Sequence, residues 1–123
     1  VRVIYPVGKE ALLRGQIDLM TDTIKAQLVG AYTYQPADAD VDDLVDLVGA
    51  PLIVSVTDVA GGIALCADLV YVDLGGNTVT GIVFYQDAGP LIAYTNQRAD
   101  TVPINVVPNG ADVTFSFDFL LKI

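Results

Sequence analysis

Apolar runs in this chain are short, and turn formers stop them again and again. Gly61-Gly62, Gly75-Gly76-Asn77, Ala88-Gly89-Pro90 and Pro108-Asn109-Gly110 each favour a reversal of the backbone. The stretches between them are rich in Val, Ile, Tyr, Phe and Thr and read as strands: Thr23 to Val29, Leu52 to Val56, Ile63 to Val72, Thr78 to Gln86, Leu91 to Thr95, Ile104 to Val107 and Asp112 to Ile123. About seven short strands separated by turns predict a mainly β chain, an antiparallel β-sandwich or barrel-like domain with two short helices in its N-terminal half. With no internal repeat, low-complexity tract or marked shift in composition, residues 1–123 read as a single β-rich domain.

The side-chain patterns of these strands differ in kind. In the last one, Val113, Phe115, Phe117, Phe119, Leu121 and Ile123 share one face, opposite Asp112, Thr114, Ser116 and Asp118. Gly81-Ile-Val-Phe-Tyr85 and Pro90-Leu-Ile-Ala-Tyr94 instead carry apolar groups on both faces, which suits the middle of a sheet covered on each side. One cover is expected from the helices and the other from a neighbouring subunit, because a chain of this length has a radius of gyration of only about 14 Å.

Two segments carry helix signals. Pro6 precedes Lys9-Glu-Ala-Leu-Leu-Arg14, a run of good helix formers, and Gly15 supplies a stop, with Val7, Ala11, Leu12 and Leu13 as its apolar contacts. In Asp40-Val-Asp-Asp-Leu-Val-Asp-Leu-Val48, Val41, Leu44, Val45 and Val48 fall at i, i+3, i+4 and i+7. Asp38, Asp40, Asp42 and Asp43 would sit at the positive end of that helix, and Gly49 and Pro51 would close it.

Charge and composition narrow the function classes. Fifteen acids against six bases give a net charge of −9, and there is no histidine. A phosphate-backbone binder needs clustered Lys and Arg, so no nucleic-acid partner is expected. Without imidazole, Ser/His/Asp and Cys/His catalysis and most zinc sites are ruled out, and no enzyme activity is expected. Cys66 is the single cysteine, so no intrachain disulfide can form, and its apolar setting, Ile63-Ala-Leu-Cys-Ala67, reads as packing. The longest apolar run is far below the roughly eighteen residues needed to span a bilayer, and no membrane partner is expected.

No segment makes a complete catalytic or metal motif. Asp38, Asp40 and Asp42 occupy the first, third and fifth positions of a calcium loop, but Asp43 stands where the loop needs glycine and Gly49 where it needs glutamate. They are therefore expected to serve as helix-start carboxylates, and no metal or other cofactor is expected. Asp58, Asp73, Asp87 and Asp100 fall at turns or strand ends, and the glycine pairs match no phosphate-binding pattern. Tyr32 and Tyr34, in Ala31-Tyr-Thr-Tyr-Gln-Pro36, are candidate subunit-contact residues, since tyrosine is enriched at interfaces. Val1, Val3 and Tyr5 join them, because Val1-Arg-Val-Ile-Tyr5 reads either as an ordinary first strand or as an arm adding to a neighbour's sheet edge.

Two longer stretches carry a resemblance. Gly8-Lys-Glu-Ala-Leu-Leu-Arg-Gly-Gln-Ile-Asp-Leu19, Asp22-Thr-Ile-Lys-Ala-Gln-Leu-Val29 and Tyr32-Thr-Tyr34 ahead of an acidic segment resemble the opening of a family of small tailed-bacteriophage virion structural proteins. Ile82-Val-Phe-Tyr-Gln-Asp87, Pro90-Leu-Ile-Ala-Tyr94, Val102-Pro103 and Pro108-Asn-Gly-Ala-Asp112 resemble its second half. The resemblance implies a capsid decoration, or cement, protein made in the host cytoplasm and bound on the exterior of the virion. The implied partners are the major capsid protein and copies of the chain itself, as a homo-oligomer such as a trimer. It brings no catalytic residues. A tail, neck or baseplate component and a carbohydrate- or receptor-binding β-sandwich are the alternatives.

Overall fold

The computed structural model describes residues 2–98, 102–117 and 120–122; Val1, Asp100, Asp118, Phe119 and Ile123, each assigned a place above, lie outside the described residues. With strands numbered in chain order, β1 (Arg2–Ile4), β8 (Leu91–Thr95), β7 (Gly81–Gln86), β2 (Ile24–Val29) and β3 (Leu47–Val54) lie side by side in that order as one antiparallel sheet. A second sheet runs β10 (Leu121–Lys122), β5 (Ile63–Cys66) and β4 (Val56–Ala60), and β6 (Leu69–Tyr71) pairs with β9 (Val113–Phe115). The chain is thus mainly antiparallel β. No sheet closes into a barrel, since β1 and β3 remain as edges of the largest one, which corrects the barrel-like reading.

The centre of the large sheet is the part of the sequence that is apolar on both faces. On one face Ile82 and Phe84 join Ile24, Ala26 and Leu28 in the larger core cluster, with Ala64, Leu69, Tyr71, Phe115 and Leu121 contributed by the smaller sheets. On the other, Val83, Tyr85, Leu91 and Tyr94 join Tyr5, Val29, Tyr32 and Leu44. Full burial of each such aliphatic side chain is worth about 1.5–3 kcal/mol. Strand β8 serves both clusters through a bulge: Phe84 faces Ala93 and Tyr85 faces Leu91, so Ile92 is the extra residue, and Ile92 and Ala93 both enter the larger cluster. The second face is covered by the chain's own Tyr32, Tyr34, Val41 and Leu44, so burial of β7 and β8 calls for no neighbour there.

Among the described residues one α-helix forms, α1 (Pro6–Leu13), with Pro6 in its first turn and Gly15 at φ +71° just beyond it. It packs on β8 so tightly that a Cβ on Gly8 would fall on the Leu91 carbonyl and 2.7 Å from Ile92 Cα. Ala11 is buried as expected, whereas Leu13 is 78% exposed.

The second expected helix is instead a single 3-10 turn, Val41–Asp43, followed by strand β3. The apolar spacing of residues 41–48 does not build a helical stripe, because Leu44 and Val48 go to opposite sides of the large sheet, one to each core cluster. Between them Asp46 takes φ +53°, which a helix does not accommodate, and Val48 pairs with Leu28. The long strands expected at 63–72 and 112–123 also divide. β5 turns away at Ala67, whose N–H donates to Ser55 O, before β6 begins, and β9 and β10 belong to different sheets. Residues 104–107 contribute the single bridge Val79–Val106 rather than a strand.

Candidate functional site

Strand β1 pairs with β8 of its own chain, Val3 opposite Tyr94, so the opening segment is an edge strand of its own sheet. Tyr5 follows with its N–H donating to Ile92 O at 2.9 Å and with no exposed surface. Tyr32 is also buried, while Val3 and Tyr34 are half-buried. The structure brings these four of the five candidate interface residues into one cluster, and any surface they offer a partner is carried by Val3 and Tyr34.

The cluster is a set of stacked rings around a hydroxyl relay. Tyr5 and Tyr34 lie 5.0 Å apart, Tyr32 meets Tyr94 edge-on at 5.6 Å, and Tyr34 stacks on Tyr94 at 5.9 Å with 21° between the planes. The Tyr5 hydroxyl lies 2.7 Å from the Tyr32 hydroxyl, which donates to Asp38 Oδ2 at 2.6 Å, leaving Tyr5 as the donor in the first bond. Burial raises the Tyr5 hydroxyl above its ordinary range, helped by its bond to Tyr32. Burial, with the hydrogen bond to Asp38, pushes Tyr32 up to about 12. Tyr32, Thr33, Tyr34, Thr80, Tyr94 and Asn96 line an open groove over this cluster. Tyr94 entered the sequence reading as sheet core, and nothing local marks a residue sixty positions away as the partner of Tyr34.

The acidic segment is occupied with its own backbone. Asp40 Oδ1 accepts the Asp42 N–H at 3.0 Å, and Asp43 Oδ2 accepts the N–H groups of Ala39 at 2.8 Å and Asp40 at 3.3 Å, a reciprocal capping of the 3-10 turn. Those N–H groups hold the Asp43 carboxyl below its usual range. Asp38 is turned toward Tyr32. Among the described residues no three Cys, Asp or Glu side chains are grouped to hold a metal ion.

Asp46, which sequence reasoning took for part of a helix, joins three segments. Its Oδ2 accepts the Ala31 N–H at 2.7 Å, its Oδ1 accepts the Asn77 amide at 2.8 Å, and its backbone carbonyl accepts the Gly30 N–H at 2.9 Å. Its carboxyl is held low by Asn77 first and Ala31 second. A Cβ on Gly30 would strike Asp46 Oδ2 and lie 2.8 Å from Thr78 O, so this meeting point requires glycine.

The apolar side chains that the chain leaves uncovered are spread over helix, loops and strands, Leu13, Val72 and Val107 among them, and part of them lies on strand edges. On edge strand β3, Leu47 is 50% and Ile53 68% exposed. Val45 precedes them, and Val59 on β4 continues the exposed series. Cys66 is half-buried on β5, with burial, and secondarily Asp68, raising its thiol above the usual range. No protein-family model, curated protein or solved structure matches this chain.

Proposed function

We propose that this chain is a non-catalytic structural component of a tailed-bacteriophage virion, a decoration protein held on the outside of the capsid by contacts with the major capsid protein and with copies of itself. The observation that carries the reading is where the chain spends its apolar side chains. The described residues form two core clusters within one copy, yet Leu47, Ile53, Val72, Val107 and Leu13 remain exposed on a chain with a net charge of −9. Apolar side chains left exposed are what a protein that stabilises a shell by burial between subunits needs. The resemblance of residues 8–19, 22–29, 32–34, 82–87, 90–94, 102–103 and 108–112 to small phage structural proteins points the same way. Within this reading the fold is a β-sandwich, with the large sheet as one layer and the smaller sheets as the other, joined through the larger core cluster.

Imaging of intact particles tests the proposal. Density for this chain over the capsid shell, together with release of DNA at lower temperature from particles that lack it, is the expected result. A ring of density at the tail would move the chain to a tail, neck or baseplate role, and equal thermal release with and without it would remove the cementing mechanism.

One observation favours a second reading. The groove sets the half-buried Tyr34 beside Thr33, Thr80 and Asn96, an aromatic next to polar groups of the kind a sugar site uses. Binding of the isolated chain to a glycan array, abolished by Tyr34→Ala, would favour that reading over decoration.

A further inference from the structure

Among the described residues no strand pairs with the outer side of β3, and the hydrogen-bond alternation identifies which of its residues are left open. In an antiparallel sheet, successive residues of a strand bond to its two neighbours in turn. The Asp87 N–H donates to Thr23 O, which assigns the odd-numbered residues of β2 to β7, and the Gly30 N–H donates to Asp46 O, which assigns the even-numbered ones to β3. Ile24 and Ala26 therefore bond Val54 and Leu52, and the backbone N–H and C=O of Ile53 point outward from the sheet edge. The Ile53 side chain is 68% exposed at the same place. An edge of this kind is a template for another strand unless it is guarded by charge, proline or a bulge. Here the guards stand to one side: the irregularity at 49–51, with Gly49 at φ +69° and Pro51, blunts the first half of β3 and leaves Leu52 to Val54 regular.

Charge decides what fits this edge. Two copies of a chain with a net charge of −9 repel one another over most of their surface. Between Asp46 and Asp58 the eleven residues 47–57 carry no charge at all. Across the strand, the Lys25 side chain opposite Ile53 is already neutralised by Asp87 at 3.1 Å. A partner recognised by charge would be drawn to the carboxylate-rich surface and not to this run, whereas a second copy brings the same charge-free run with it.

We propose that β3 is a self-association edge, on which a second copy of this chain pairs antiparallel about a two-fold axis at Ile53. Each Ile53 N–H then donates to the Ile53 carbonyl of the other copy, the two exposed isoleucine side chains cover each other, and the two five-stranded sheets become one. The inference rests on the structural-protein reading above in taking copies of the chain as the partner.

The test uses the isolated chain. Sedimentation equilibrium over a concentration series should give a species of twice the 13.0 kDa chain mass, and Ile53→Lys should return it to the mass of one chain with unchanged circular dichroism. Because Ile53 is exposed, that variant is expected to fold, and amide hydrogen exchange supplies a readout that does not depend on it. The Ile53 amide should be protected at concentrations where the dimer forms and should exchange quickly on dilution, while Val54, bonded to β2, stays protected throughout. A chain that remains monomeric, or one that associates with Ile53 still exchanging quickly, overturns the inference. A dimer of this kind that fails to bind capsids leaves the edge in place and removes the decoration reading, while capsid binding by a chain that stays monomeric does the reverse.

Discussion

Gln27 sits on the interior strand β2 with almost no exposed surface, and its side-chain amide hydrogen-bonds carbonyls that a strand backbone usually satisfies. Its Nε2 donates to the carbonyls of Leu28 at 2.9 Å and of Val48 and Gly49 at 3.2 Å, where β3 bulges away from β2. Replacing it by a carboxylate of the same shape turns a donor into an acceptor facing those oxygens. Gln27→Glu is therefore expected to destabilise the chain by about 3 kcal/mol or more at neutral pH, as a buried charge without a partner costs more than a lost neutral hydrogen bond. The sign with pH follows from desolvation, which raises the folded pKa of that carboxyl above its unfolded value of about 4.3. The variant should be closest to the parent below the unfolded value, where the carboxyl is protonated in both states, and should lose stability as the pH rises through the folded value. Chemical denaturation of both chains across acid and neutral pH measures this, and a penalty that does not shrink in acid would show that the amide is not donating as described.

Among the elements, α1 depends on one residue for its place. With no side chain at Gly8 the helix backbone comes down onto β8, and a Cβ there would meet the Leu91 carbonyl and Ile92 Cα, atoms fixed in the middle of the sheet. Gly8→Ala should improve the intrinsic helix propensity by about 1 kcal/mol and still destabilise the protein by a net of about 1–3 kcal/mol, because a packed strand backbone cannot give way. A neutral or stabilising effect in thermal melts would mean that α1 rests less closely on β8. The elements also show where sequence reading stops. Leu91 to Thr95 was legible as a strand in full and Thr23 to Val29 to within one residue, since local composition and neighbouring turns define both. The segment 40–48 was not legible, because its apolar residues match a helical spacing while answering to two cores, and the left-handed conformation of Asp46 is fixed by Ala31 and Asn77 from distant parts of the chain. The strand at 112–123 was read correctly for its faces as far as Phe117, yet alternation cannot say that β9 and β10 will find different partners. For the interface candidates, composition identified the tyrosines, and only the fold could show that Tyr5 and Tyr32 lie beneath Tyr34.

For the molecule as a whole, the absence of histidine has a measurable result. Between the carboxylate range and the raised thiol of Cys66 no side chain titrates, so stability should be level across neutral pH. The alkaline limb then belongs to tyrosine. Burial raises Tyr5, Tyr32, Tyr71, Tyr85 and Tyr94, with Tyr32 at about 12. The Tyr71 hydroxyl in addition donates to Ala26 O at 3.0 Å inside the larger cluster. A group whose folded pKa lies above the unfolded value of about 10 contributes stability that is complete below that value and is lost as the pH rises through the folded one. Above pH about 10 the unfolded chain gains ionised tyrosines that the folded chain resists, and each adds negative charge to a molecule already at −9, so the two effects act in the same direction. Tyrosinate absorbance and strand circular dichroism, followed together in an alkaline titration, should therefore change in one cooperative step for most of the six tyrosines. Gradual ionisation of most of them near pH 10, with the strand signal intact, would contradict the burial of the ring cluster. Tyr5→Phe sharpens the measurement: it removes the donor that favours ionised Tyr32, so Tyr32 should ionise at still higher pH in whatever fraction of the chain stays folded.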